Sequence, residues 1–150
     1  MKVLIVYDSQ YGNTEQVAKA IAGAFTQPHT ARVAKVGEAK AGEAGGYDLL
    51  IIGSPTQGGR ATTATQAYVN KLNADSLQNT KVATFDTRIK TALVKVFGFA
   101  AGRLQKALEE NGIKPVVPGE GFFVDKTKGP VRAGELERAA AWGKKLGEGK

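Results

Sequence analysis

The sequence predicts an α/β fold in which a parallel sheet is covered by helices on both faces. Three observations carry this. Two runs, residues 2–8 and 47–53, are apolar through their middles without alternation, the pattern of a strand buried on both sides. Strand and helix patterns alternate five times along 150 residues. The connections between them are short, so each helix serves as a crossover that returns the chain to the same sheet.

Taken in order, residues 2–8 form the first strand. A polar turn over residues 9–13 leads to a helix near Thr14 and Glu15, where Val17, Ile21 and Phe25 make one apolar stripe and Pro28 ends the run. Residues 32–36 are half-polar and suit a sheet edge. Residues 47–53 are the next buried strand, and residues 62–72 a helix with Tyr68, Val69 and Leu72 inward. Residues 81–86 read as a strand, and residues 100–111 as a helix stopped by Asn111-Gly112. Residues 114–117 and 121–124 read as one last strand interrupted at Pro118-Gly119. Residues 134–146 close the chain as a helix with Leu136, Ala139, Trp142 and Leu146 on one face. Residues 87–99 are too long for a simple turn and unusually apolar for a loop, which marks them as functional.

Composition narrows the chemistry. With no cysteine and one histidine, His29, a thiol nucleophile, an iron–sulfur centre, a zinc site and a Ser-His-Asp triad are all set aside. No apolar run reaches the ~20 residues of a membrane helix, and the opening residues do not read as a signal peptide. The expectation is a soluble, cytoplasmic, single domain over residues 1–150. Lys and Arg number 21 against 14 Asp and Glu, a net charge of +7. The excess lies in the second half of the chain, which favours an anionic partner or cofactor; the other reading is a solubilising surface.

In an open parallel sheet, ligands bind beyond the carboxyl ends of the strands, where the strand order reverses. The loop Ser9-Gln10-Tyr11-Gly12-Asn13-Thr14 lies there. Its hydroxyls, its glycine and its backbone N–H groups at a helix start suit a phosphate. The competing reading is an ordinary turn capped by Asn13 or Thr14. Neither G-x-x-x-x-G-K-[ST] nor a G-x-G-x-x-G after the first strand occurs.

This loop resembles the phosphate loop of the flavodoxin family. Ile51-Ile52-Gly53-Ser54-Pro55-Thr56 is similar to that family's third strand running into its first flavin loop. The resemblance implies a flavodoxin-like three-layer domain with a five-stranded sheet in the order 2-1-3-4-5 and the cofactor FMN. It assigns Ser9, Gln10, Tyr11, Gly12, Asn13 and Thr14 to the 5′-phosphate. Ser54, Pro55 and Thr56 would line the ribityl chain, and Gln57, Gly58, Gly59 and Arg60 would approach the flavin ring. Asp86, Thr87 and Arg88 would form a second ring loop.

Two departures stand out. Neither residues 57–60 nor 86–88 supply an aromatic to flank the ring, leaving Phe97 or Phe99 as candidates beside a plain core role. The chain is basic, and Arg60, Arg88 and Lys90 would ease two-electron reduction by attracting the charge the flavin gains. The function implied is electron transfer between redox partner proteins, those partners having an acidic docking surface. The alternative is an FMN-dependent NAD(P)H:quinone-type oxidoreductase, for which no nicotinamide motif is found. A receiver-type acidic pocket is missing around Asp8, and no aromatic platform supports nucleic-acid binding.

Overall fold

A computed structural model describes residues 1–90 and 99–148. The described strands are β1 (Lys2–Tyr7), β2 (Thr30–Lys35), β3 (Leu49–Pro55), β4 (Lys81–Ile89) and β5 (Glu120–Val124). All pair in parallel in the order β2-β1-β3-β4-β5. The described α-helices are α1 (Asn13–Ala22), α2 (Thr63–Asn70), α3 (Ala100–Glu110) and α4 (Glu135–Gly147).

Successive side chains of a strand point to opposite faces, and the central strands use both. From β1 and β3, Leu4, Val6, Leu50 and Ile52 enter one core with Tyr68, Val69 and Leu72 of the α2 region and Leu104 and Leu108 of α3. Their neighbours Val3, Ile5, Leu49 and Ile51 enter a second core with Val17 and Ile21 of α1 and Ala139 and Leu146 of α4. The unbroken apolar runs therefore feed two cores at once. Phe85, Phe122 and Trp142 meet edge to face in the second core, with centroids 6.0 to 6.3 Å apart. Gly53 gives the Phe85 ring its room, because a Cβ at position 53 would overlap the ring.

Several boundaries differ from the sequence expectation. The first helix ends at Ala22, capped by Gly23 rather than carried toward Pro28; Phe25 is still buried beyond it. The last strand begins at Glu120. Residues 114–117 stay outside the ladder, although Val116 N–H donates to Val82 O at 2.9 Å. Pro115 and Pro118 have no N–H to contribute, which accounts for it. The third correction concerns Asp86, Thr87 and Arg88, expected as a loop. They continue β4, paired with Gly121, Phe122 and Phe123 of β5. Of the long apolar segment, residues 91–98, with Phe97, lie outside the described residues.

The edge strand β5 is tied to α4 by ionic contacts. Arg138 donates to Glu135 of its own helix at 2.8 and 2.9 Å, to Glu120 at 2.6 Å and to the carbonyl of Gly121. Glu135 also accepts the Phe123 N–H at 2.8 Å. Arg138, helped by that N–H, holds the Glu135 carboxyl below the usual carboxylate range against the opposing effect of burial. A carboxyl depressed in the folded state stabilises fully above its unfolded value, and the contribution is lost as pH falls through the folded value. Glu135→Gln is therefore expected to lower stability by about 1–2 kcal/mol at neutral pH, the figure reduced by the partial exposure of Arg138. Urea unfolding of both proteins should show the gap closing on acidification; an equal gap in acid and at neutrality would show the carboxyl uncoupled.

Candidate functional site

Where β1 ends, the chain makes a loop that leaves most of its amides free. Ser9 N–H donates to Asp8 Oδ1 at 2.9 Å, and Gly12 N–H to Ser9 Oγ at 3.0 Å. Gly12 sits at φ 90°, in the left-handed region, and occupies the cap position of α1 with no side-chain cap bond. The Gln16 N–H is bonded back to Gly12 O at 3.1 Å. Among the described residues the N–H groups of Gln10, Tyr11, Asn13, Thr14 and Glu15 have no acceptor. This decides against the capped-turn reading, since neither Asn13 nor Thr14 caps the helix. The Thr14 hydroxyl instead shares a buried 2.8 Å hydrogen bond with Thr87 of β4. Glu15 accepts from the Tyr7 hydroxyl at 3.0 Å. Burial and that carboxylate push the Tyr7 phenol up to about 12.

The loop after β3 is a two-residue hairpin. Gln57 and Arg60 exchange N–H···O bonds of 2.8 and 3.0 Å, and Gly58 and Gly59 have φ of 57° and 79°. Two positive φ angles make this a type I′ turn, which glycine adopts without strain. Its base is fixed from below. Ser54 Oγ accepts the Thr62 N–H at 3.0 Å, and Thr56 Oγ1 accepts the Ala100 N–H that opens α3 at 3.1 Å. Gln57 Nε2 donates to Gln10 Oε1 at 2.7 Å, joining the hairpin to the first loop.

The end of β4 supplies the third wall. Asp86 has no exposed surface and grips Arg88 through two 2.7 Å bonds, while its Oδ2 accepts the Ala101 N–H at 2.9 Å. Burial raises the Asp86 carboxyl, and Arg88 and the amide pull it back. The Arg88 guanidinium also lies 3.2 Å from the centroid of the Phe99 ring. Phe99 is therefore engaged with Arg88, and the charge of Arg88 is offset by Asp86 rather than free.

These walls enclose a cavity of about 410 Å³, within the usual size of a small-molecule site. Of the sequence candidates, Ser9, Gln10, Tyr11, Asn13, Thr14, Pro55, Thr56, Gln57, Gly58, Thr87 and Arg88 line it. Gly12 and Gly59 shape its loops without lining it, and Ser54 lies beneath the hairpin. Arg60 faces a second cavity, and Asp86 is enclosed behind Arg88. Ile89, Val124 and Thr127 also line the site; Ile89 falls in the segment 87–99 marked as functional from sequence, whereas Val124 and Thr127 are not singled out there. The rule that ligands sit beyond strand ends is the available signal for Val124 but is not applied to the last strand in the sequence expectation, while Ile89 and Thr127 depend on how far β4 and β5 run.

The family model described as Flavodoxin matches residues 5–134. The chain belongs to the flavodoxin family. A flavodoxin of Synechococcus elongatus is 27% identical over 130 residues, covering 85% of this chain and 76% of the relative. Oxidised flavodoxin 2 of Bacillus cereus superposes with a TM-score of 0.80 at 24% identity, over 100% of both chains. Oxidised flavodoxin 1 of the same organism gives 0.76 at 21% identity, over 99% of this chain and 98% of that one. At these identities the two superpositions attest the fold.

Flavodoxins bind FMN, and the donor set of this chain fits that group. Free amides at the start of α1, with the Ser9 hydroxyl, suit a phosphate without any Lys or Arg in the loop. Open space around Gly12 and Gly58, where a Cβ would meet nothing within 4 Å, leaves room for close backbone approach. In this flavodoxin the Asp86–Arg88 pair supports that wall. Asp86→Asn is expected to cost about 3 kcal/mol, because Arg88 loses its partner in a mostly buried position. A double-mutant cycle with Arg88→Met, followed by urea unfolding, should give less than the sum of the single losses. Additive losses would show the two side chains to be independent.

Proposed function

We infer that this flavodoxin carries electrons between partner proteins, with FMN held in the crevice between the loops after β1 and β3 and the end of β4. The observation that carries the reading is the set of free amides at the start of α1, beside the same cavity that the two-glycine hairpin borders. Residues 9–14 hold the 5′-phosphate through N–H and hydroxyl donors, Asn13 and Thr14 being fixed by burial and by Thr87. Pro55 and Thr56 position the ribityl chain, with Ser54 beneath them holding the base of the hairpin, and Gln57, Gly58 and Gly59 form the edge that meets the ring, Arg60 being turned to the second cavity. Thr87 and Arg88 close the opposite wall, and Asp86 acts through Arg88 as a positioning residue. Bound FMN supplies reversible electron uptake, so the protein's task is to bind, orient and exclude water, with no acid, base or nucleophile required.

Partner contact has support from the mouth of the cavity. Tyr11 and Ile89, two of the three large exposed apolar residues described, are 44% and 37% exposed and both line it. Exposed cations at Arg60, Lys90, Lys126 and Lys128 lie on the segments around it, so the partner surface is acidic. A cysteine-free chain suits a cytoplasmic carrier.

Titrating the apoprotein with FMN tests the reading through flavin fluorescence. Stoichiometric quenching is expected, with riboflavin binding much more weakly because it lacks the phosphate. Gly12→Ala, which forces a side chain into the left-handed region, should weaken FMN about tenfold and riboflavin far less. Equal affinity for FMN and riboflavin, or no quenching by either, would overturn the assignment.

A further inference from the structure

A second cavity, of about 320 Å³, opens on the far side of the hairpin, between α2 and α3. Arg60 and Arg103 line it with the amides of Gln66 and Asn70, over a floor of Ala61, Leu104 and Ala107. No carboxylate is among the lining residues. Arg32, Arg88, Arg132 and Arg138 each have a carboxylate partner; Arg60 has none among the described residues and is exposed. Gln66 Nε2 is held by Ala61 O at 2.7 Å, which fixes that amide at the rim.

We propose that this cavity is a socket for a carboxylate side chain of an acidic partner protein, docking that partner against the ring-edge hairpin. The chemistry of the lining is that of carboxylate recognition: a planar guanidinium offers paired N–H donors to the two oxygens. Its position decides between a protein and a small anion. Gln57 and Gly58 of the hairpin line the first cavity, and Arg60 and Ala61, one residue further along the chain, line the second. A carboxylate seated at Arg60 therefore brings the surface that carries it over the hairpin, toward the exposed Tyr11 and Ile89. An apolar centre with a charged rim is the anatomy of a transient protein interface. The socket rests on the electron-carrier reading for its purpose, and on its own lining for its chemistry.

The test is an NMR titration of the full ¹⁵N-labelled chain, FMN added, with octaglutamate as the acidic probe. The Nε–H of Arg60 and Arg103 and the side-chain amides of Gln66 and Asn70 should shift together, and the shifts should vanish at high salt. Arg60→Glu should weaken the probe about tenfold, while the same charge reversal at exposed Lys144 on α4 should change it less than twofold. Equal losses in the two variants would overturn the socket, since general charge attraction would then explain the binding. Tighter binding of inorganic phosphate than of octaglutamate at these groups would overturn it in favour of a small-anion seat. Flavin fluorescence on the same samples separates the two readings. Octaglutamate seated at Arg60 without FMN binding overturns the carrier and keeps the socket. FMN binding with no shift at Arg60 overturns the socket alone.

Discussion

β1 lies between β2 and β3, and the chain leaves β1 and β3 toward opposite faces of the sheet. After β1 it turns to α1, which packs on the core containing Val3 and Ile5; after β3 it turns to α2, which packs on the core containing Leu4 and Val6. Two neighbouring strands whose connections diverge leave a crevice between them at their carboxyl ends. The first cavity lies at that gap. The first loop reaches it with unpaired amides because its helix starts there. The second reaches it as a hairpin because β3 must reverse before α2 can begin.

Polar side chains near the end of β4 are satisfied by protein partners. On the face of β4 toward α3, Val82 gives way to Thr84, Asp86 and Arg88. Thr84 donates to the Ala101 carbonyl at 3.1 Å and Asp86 accepts the Ala101 N–H. The first turn of α3 thus serves as the polar lining of a strand end, and the same contacts set where α3 starts. Electrostatically, the basic character of the chain is not expressed at Arg88, whose charge is spent on Asp86. It is expressed at the rim, in residues such as Arg60, Lys90 and Lys128. The charge beside the crevice and the charge on its exposed rim are therefore carried by different residues.

The parts of the fold legible in the sequence are those written in local pattern. The apolar runs of β1 and β3, the stripes of α1 and α4, and the glycine-containing first loop all declare themselves within ten or so residues. What was not legible depends on distant pairing. Thr87, Arg88 and Ile89 are strand only because Phe122, Phe123 and Val124 lie alongside them, and a loop reading was equally consistent with their composition. The same holds for Ile89 and Thr127 in the site. One local signal was present: Asp86 and Arg88, two apart, fall on the same face if the segment is extended, and an opposite-charge pair there argues for strand.

The hairpin at residues 57–60 has a further consequence. Its two ends are locked to each other by their own hydrogen bonds, and its base is anchored separately through Ser54, Thr56 and Thr62. The tip therefore bears none of the tension of the sheet. Chain inserted between Gly58 and Gly59 would lengthen the overhang without shifting the register of β3 or the start of α2. In this architecture the reach over the crevice is an adjustable dimension, and a protein engineer could graft a different recognition tip there while leaving the scaffold untouched.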